Sequence, residues 1–219
     1  FLTLTSNIFA AEYNPSPGKR SSHKNPIRRA FRKIQIQMIA DSDGSDLTYF
    51  TLFRSRRRFA AAIVSTPSWE PIVYYLIPRY IRNGVAKQMG ITLSKEGPSE
   101  WFYDGEALSR NVEKIRTPIL FNISDAEVLA ARQDLVAMEE YGKPFESYVF
   151  PEESHTKWQP SHLYNIWRRN VQWLQFWLQD KEVSDPVDPR QYARWRELKN
   201  MQEENDRKMR EAVTGEPKR

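Results

Sequence analysis

The chain contains no cysteine. Disulfides, zinc–thiolate centres and cysteine nucleophiles are therefore excluded. The compartment stays open, because proteins on either side of a bacterial inner membrane can lack the residue. Also missing is any stretch of about 18 uninterrupted apolar residues, the length that a membrane-crossing helix requires. No internal repeat is evident. Histidine is scarce, with three copies at positions 23, 155 and 162, so each can be weighed by its surroundings.

What is present suits a packed core: 219 residues, 40% of them hydrophobic, with 7 Trp, 10 Tyr and 11 Phe. That length fits one ordinary domain or part of a larger one. The net charge of +5 is uneven. Residues 1–58 hold eleven Lys/Arg against four acids, a balance of +7, which leaves −2 for the rest. A basic face of this kind can serve an anionic partner. No aromatic–basic interleaving or nucleic-acid motif accompanies it, so a solvated face with a poorly ordered head is expected and nucleic acid is not. The first residues, FLTLTSNIFAAEY, have small residues near Ala10–Ala11 like the tail of a signal segment but no basic stretch before them; an internal cut of a longer protein explains them equally well.

Periodicity and breakers divide the chain into a basic head (1–30), an α/β core (31–182) and a charged C-terminal helix with its tail (183–219). Residues 13–27, rich in Pro, Ser, Gly and Lys, read as loop. An apolar run at about 34–40 suits a buried strand, followed by a helix to about Arg57. FAAAIVST (59–66) is wholly apolar, as expected of an inner parallel strand. Residues 69–95 read as helical and aromatic, and 96–106, with Gly97, Pro98 and Gly105, as loop. TPILFNIS (117–124) is a strand. EVLAARQDLVAMEEYG (127–142) places Val128, Ala131, Leu135 and Met138 on one helical stripe, with Gly142 as C-cap. KPFESYVFP (143–151) is a strand, residues 161–179 a long aromatic helix, and the final helix either extends into solvent or packs on a missing region. Alternating strands and helices with buried-type strands predict a parallel α/β sheet.

One constellation carries chemistry. A serine hydroxyl is a weak nucleophile until an imidazole accepts its proton, and the imidazole needs a carboxylate to hold its tautomer. In α/β-hydrolases these groups follow the order serine, acid, histidine, each at the carboxyl end of a strand. Ala40-Asp41-Ser42-Asp43-Gly44 fits small-x-Ser-x-Gly between a strand and a helix, with Ala40 in place of the usual first glycine. Asp125 and Glu127 follow the strand 117–124, where either could instead be an idle acid at a helix start. His155 lies in the loop after the next strand, whereas His23 falls in the basic head and His162 opens the long helix as a surface or capping residue. Singly these signals are weak; together they are in the right order and topology.

KIRTPILFNISDAEV, KPFESYVFPEESHTKWQP and RRNVQWLQFWLQD resemble the C-terminal catalytic region of the prolyl oligopeptidase family. Within it, the chain looks most like the bacterial lasso peptide isopeptidases: their nucleophile motif, similar to G-L-S-D-G-S, is echoed by residues 40–45. His-x-Lys-Trp-Gln-Pro (155–160), Arg-Arg-Asn-x-x-Trp (168–173) and Asp-Pro-x-x-Tyr-x-Arg-Trp (188–195) look like theirs too. The resemblance covers about residues 38–200. It implies an α/β-hydrolase fold, three-layered with a mostly parallel sheet, and a triad of Ser42 as nucleophile, His155 as general base and acid, and Glu127 as acid. The subfamily's glutamate selects Glu127 over Asp125, which remains the alternative. The backbone N–H of Asp43 would supply an oxyanion donor. The implied substrate is a threaded lasso peptide, cut at its isopeptide bond through an acyl-enzyme, with no metal or organic cofactor.

Departures from that pattern carry their own expectations. Family members have a β-propeller before the hydrolase, while 41 residues precede Ser42 here, so an N-terminally incomplete hydrolase lacking the propeller is expected. Asn25-Pro26-Ile27 looks like the family's entry to the helix before the elbow, but no segment matches its tyrosine oxyanion donor. Two readings compete with the isopeptidase: a general prolyl-oligopeptidase-like peptidase or esterase, and a catalytically inactive hydrolase remnant or binding module. The last would expose a sheet edge and self-associate through it.

Overall fold

The structure is a computed structural model, and it describes residues 37–40, 43–56, 58–76, 78–79, 83–84 and 100–214. The basic head, Ser42, the loop expected at 13–27 and most of the helical stretch expected at 69–95 lie outside the described residues.

Among the described residues, four strands form one sheet: β1 (Gln37–Ala40), β2 (Ala61–Val64), β3 (Ile119–Ser124) and β4 (Phe145–Phe150). Their spatial order is their chain order, and every pairing is parallel. The helices are α1 (Asp43–Arg54), α2 (Pro71–Leu76), α3 (Glu100–Glu106), α4 (Leu108–Asn111), α5 (Val128–Glu140), α6 (Pro160–Gln179) and α7 (Gln191–Thr214). β2 and β3 are buried along their whole length, which is why they read as continuous apolar runs rather than alternating ones.

The two faces of the sheet support separate cores, as the two-residue period of a strand requires. Ala62, Val64, Ile119, Phe121 and Ile123 pack with Tyr49, Leu52 and Phe53 of α1 and Ala131 and Met138 of α5. Ala61, Ile63 and Leu120 face the other way, onto Trp173 and Phe176 of α6 and Tyr192 and Trp195 of α7. Helices thus cover both faces, giving three layers. The indole rings of Trp173 and Trp195 meet edge to face with centroids 5.0 Å apart, a preferred aromatic geometry.

The stripe on α5 is as its spacing predicts: Ala131 and Met138 are buried and Leu135 packs against them. Gly142 closes the helix with φ at +56°. The N–H of Gly142 donates to the carbonyl of Glu139 and that of Lys143 to Met138, a Schellman ending that a β-carbon would strain.

Two expectations change. Residues 100–106 are helical, not loop, because Tyr103 is driven into the interior and neither Gly97 nor Pro98 falls within the helix. The first turns of α7 pack on the core through Tyr192 and Trp195. Further along, Asn205 donates to the carbonyl of Gly142 and Arg58 pairs with Asp206.

Candidate active site

In an all-parallel sheet the strands' carboxyl ends share one rim, and the loops that leave it converge there. The register aligns Ala40, Val64 and Phe121 across β1, β2 and β3, and β3 with β4 runs three residues further, to Ser124 and Phe150. β1 ends at Ala40 and α1 begins at Asp43, so strand and helix flank Ser42 closely. Ser42 itself lies outside the described residues, and Asp43 is the first residue of α1.

The chain leaves β3 through a single 3-10 turn, Asp125–Glu127. The two acids of that turn do different things. Glu127 Oε1 lies 2.6 Å from Nδ1 of His155, while Oε2 accepts a hydrogen bond from the Ser124 hydroxyl at 2.8 Å. Asp125 points to the turn after β4 and accepts from the backbone N–H groups of Glu152 (2.6 Å) and Glu153 (3.1 Å). The structure thus brings Glu127 and His155 together and keeps Asp125 on the loop's backbone.

Burial pushes the Glu127 pKa up, yet the bond to His155, the Lys157 ammonium 3.8 Å from Oε2 and the Ser124 hydroxyl together hold it below the ordinary glutamate value. It is an anion at neutral pH. A carboxylate bonded to one imidazole nitrogen orients the ring and stabilises its protonated form.

The loop that carries His155 is tied at several points. Glu153, buried at its base, accepts from the N–H groups of Trp158 (2.9 Å) and Gln159 (3.1 Å), and its Oε1 lies 2.9 Å from Nδ1 of His162. Burial pushes Glu153's pKa up; the Trp158 N–H, His162 and the Gln159 N–H outweigh it and leave the group more acidic than usual. His162, read from sequence as a surface or capping group, therefore anchors this loop to the start of α6. Lys157 donates to the carbonyl of Ser65, just past β2, at 2.7 Å.

Ser124, Glu153 and Lys157 are the participants that residue-type reasoning passes over. A strand-terminal serine and a loop glutamate carry no signal of their own. Lys157 stands two residues after His155 within His-x-Lys-Trp-Gln-Pro, which is a usable one.

A parallel sheet with helices on both faces, and an acid and a histidine on neighbouring strand ends, define an α/β-hydrolase. No family model matches the chain. It is 31% identical over 166 residues to the lasso peptide isopeptidase AtxE2 of Asticcacaulis excentricus, a match covering 75% of this chain and 23% of that protein. The apo structure of AtxE2 isopeptidase aligns at a TM-score of 0.67 and 30% identity, over 75% of this chain and 25% of its own. Its serine-to-alanine variant with Astexin3-dC4 bound aligns equally well. An acylaminoacyl peptidase, at 16% identity and a TM-score of 0.55 over 74% of this chain and 28% of its own, shares the fold. By sequence and by fold the chain is similar to the lasso peptide isopeptidase AtxE2, and it spans about a quarter of that protein's length.

Proposed function

We propose that this chain is a serine hydrolase that opens the isopeptide bond of a lasso peptide, with Ser42, His155 and Glu127 as its triad. The observation that carries the reading is the 2.6 Å contact between Glu127 and His155 Nδ1, made at the rim toward which Ser42 follows β1. With Nδ1 engaged by the carboxylate, Nε2 is the ring nitrogen that takes the Ser42 proton as Oγ attacks the isopeptide carbonyl. The bond from Oγ to carbon forms as the carbonyl π pair moves to oxygen, where the N–H of Asp43 at the start of α1 donates to the oxyanion. Collapse expels the amine, which leaves with the proton from His155. Water then repeats the sequence on the acyl-enzyme and releases a linear peptide.

The similarity to AtxE2 supports the substrate class, since AtxE2 is a lasso peptide isopeptidase whose variant holds Astexin3-dC4. The test is fluorophosphonate labelling of the purified chain beside Ser42→Ala and His155→Ala. Labelling lost in both variants is the expected result. Absence of labelling in the folded parent overturns the reading in favour of a non-catalytic remnant. Turnover of a threaded macrolactam against a linear peptide or simple ester then separates an isopeptidase from a general peptidase or esterase.

A further inference from the structure

The sheet order sets His155 a distance problem. Its loop springs from β4, yet a histidine that serves the end of β1 must lean over β3 and β2, and neighbouring strands are spaced about 4.8 Å apart. Reaching β2 alone means crossing about 10 Å from β4. Asp125 and Glu153 hold the near side of this loop, at residues 152, 153, 158 and 159. Neither reaches β2.

Lys157 does. Its side chain is almost fully buried, 5% exposed, an uncommon state for a lysine without partners. Nζ donates to the carbonyl of Ser65 beyond β2 at 2.7 Å and to the carbonyl of His155 at 3.3 Å, and lies 3.8 Å from Glu127 Oε2. One ammonium therefore touches the strand end next to β1 and the backbone of the histidine, and stands near the carboxylate oxygen that Ser124 also bonds. A buried cation with such partners is costly to remove, since loss leaves two carbonyls and an anion under-satisfied.

We propose that Lys157 is the positioning residue of this site: it pins the His155 loop to the end of β2 and aligns the Glu127 carboxylate on His155. The role rests on the proposed triad for its catalytic meaning, though not for its structural one. Among the described residues, the charged groups beside His155 include Lys157 on the same loop and Glu127 from the turn after β3, with Asp125 turned away onto backbone. Ser124 supplies the neutral donor.

The test uses Lys157→Met, which keeps the length and removes the charge and donors. Two readouts are taken: the NMR resonance of the His155 Nδ1 proton shared with Glu127, assigned by its loss in His155→Gln, and the fluorophosphonate labelling rate. The expected result is loss or broadening of that resonance and a labelling rate lower by about a hundredfold, the scale of an ångström-level misplacement. Because the chain has no cysteine, Lys157→Cys offers a single thiol, alkylated with 2-bromoethylamine in the unfolded chain before refolding. Restoring the ammonium should restore both readouts, whereas a neutral ethyl group on the same thiol should not.

An unchanged resonance and unchanged labelling in folded Lys157→Met overturn the proposal, as does equal rescue by the neutral alkyl group. Should the methionine variant fail to fold, the unmutated chain decides: a slowly exchanging Lys157 ammonium with a cross-relaxation contact to the His155 backbone supports the role, and its absence refutes it. If the parent shows the shared proton, Lys157→Met removes it, and neither chain labels, then the serine hydrolase reading has failed while the positioning role stands.

Discussion

Glu127 and Asp125 sit two residues apart in one turn, and the structure assigns them unlike partners. Glu127→Gln keeps the shape and removes the anion, and a triad acid neutralised in this way loses roughly 10⁴-fold in rate. Asp125→Asn forfeits one of two backbone hydrogen bonds to an ion, about 1.5 kcal/mol, or roughly tenfold if all of it falls on the His155 loop. Labelling rates of the two variants, compared directly, check that ranking. Glu127 also has a pH signature. Its folded pKa lies below the ordinary value because His155, Lys157 and Ser124 outweigh its burial. The stability it contributes is present above the unfolded glutamate pKa of about 4.3 and is lost as pH falls through the lower folded value. Urea titrations should show a gap between parent and Glu127→Gln that is steady from neutral down to about pH 5 and closes below pH 4.

At the level of elements, the segment after β2 is fastened by a buried knot of acids. Asp134 of α5 accepts from both the backbone N–H and the hydroxyl of Ser68 (2.7 Å each), and Ser68 Oγ accepts from the N–H of Leu108. Glu70 accepts from the N–H and hydroxyl of Ser109. Burial first, and the neighbouring Glu70 second, push the Asp134 carboxyl well above the ordinary aspartate range. A group raised in this way stabilises the fold below its unfolded pKa of about 3.9, and that stability is lost as pH rises toward the folded value. The unfolding free energy should therefore decline as pH rises above about 4. Asp134→Asn should flatten the decline, which denaturant midpoints at several pH values will measure. None of this was legible in STPSWEP, where Ser68 and Glu70 look like ordinary polar residues at the start of a helical stretch. β2, β3 and α5 were legible, because their burial writes itself as continuous apolar runs or a 3.6-residue stripe. The helix at 100–106 was hidden by Gly105, a poor helix residue, although a β-carbon there would meet just the flexible end of Arg54 at an ordinary 3.4 Å. Of the site, the order of acid and histidine could be read from the chain; the choice of Glu127 over Asp125 came from the family resemblance and not from spacing, since it depends on which loop each carboxylate meets.

Across the whole molecule, the charged composition of α7 conceals how much of the core it completes. Trp195 is fully buried against Trp173, Phe176 and Tyr192. Trp195→Ala should cost about 3–5 kcal/mol by denaturant unfolding, far more than any change on the exposed ion-paired face around Glu204 and Arg207, where such pairs contribute little. The site itself is assembled from contacts of very different reach along the chain. Glu127 and His155 are 28 residues apart, within one strand–helix–strand unit. Lys157 and Ser65 are separated by 92. Local contacts close early and distant ones late, because each must first overcome the entropy of a longer loop. The nascent protein is thus expected to pair its acid and histidine well before the loop that bears the histidine is seated on β2. A partly folded chain would hold a formed but unaimed half of the site, and competence would arrive only with the final long-range closure of the sheet's rim.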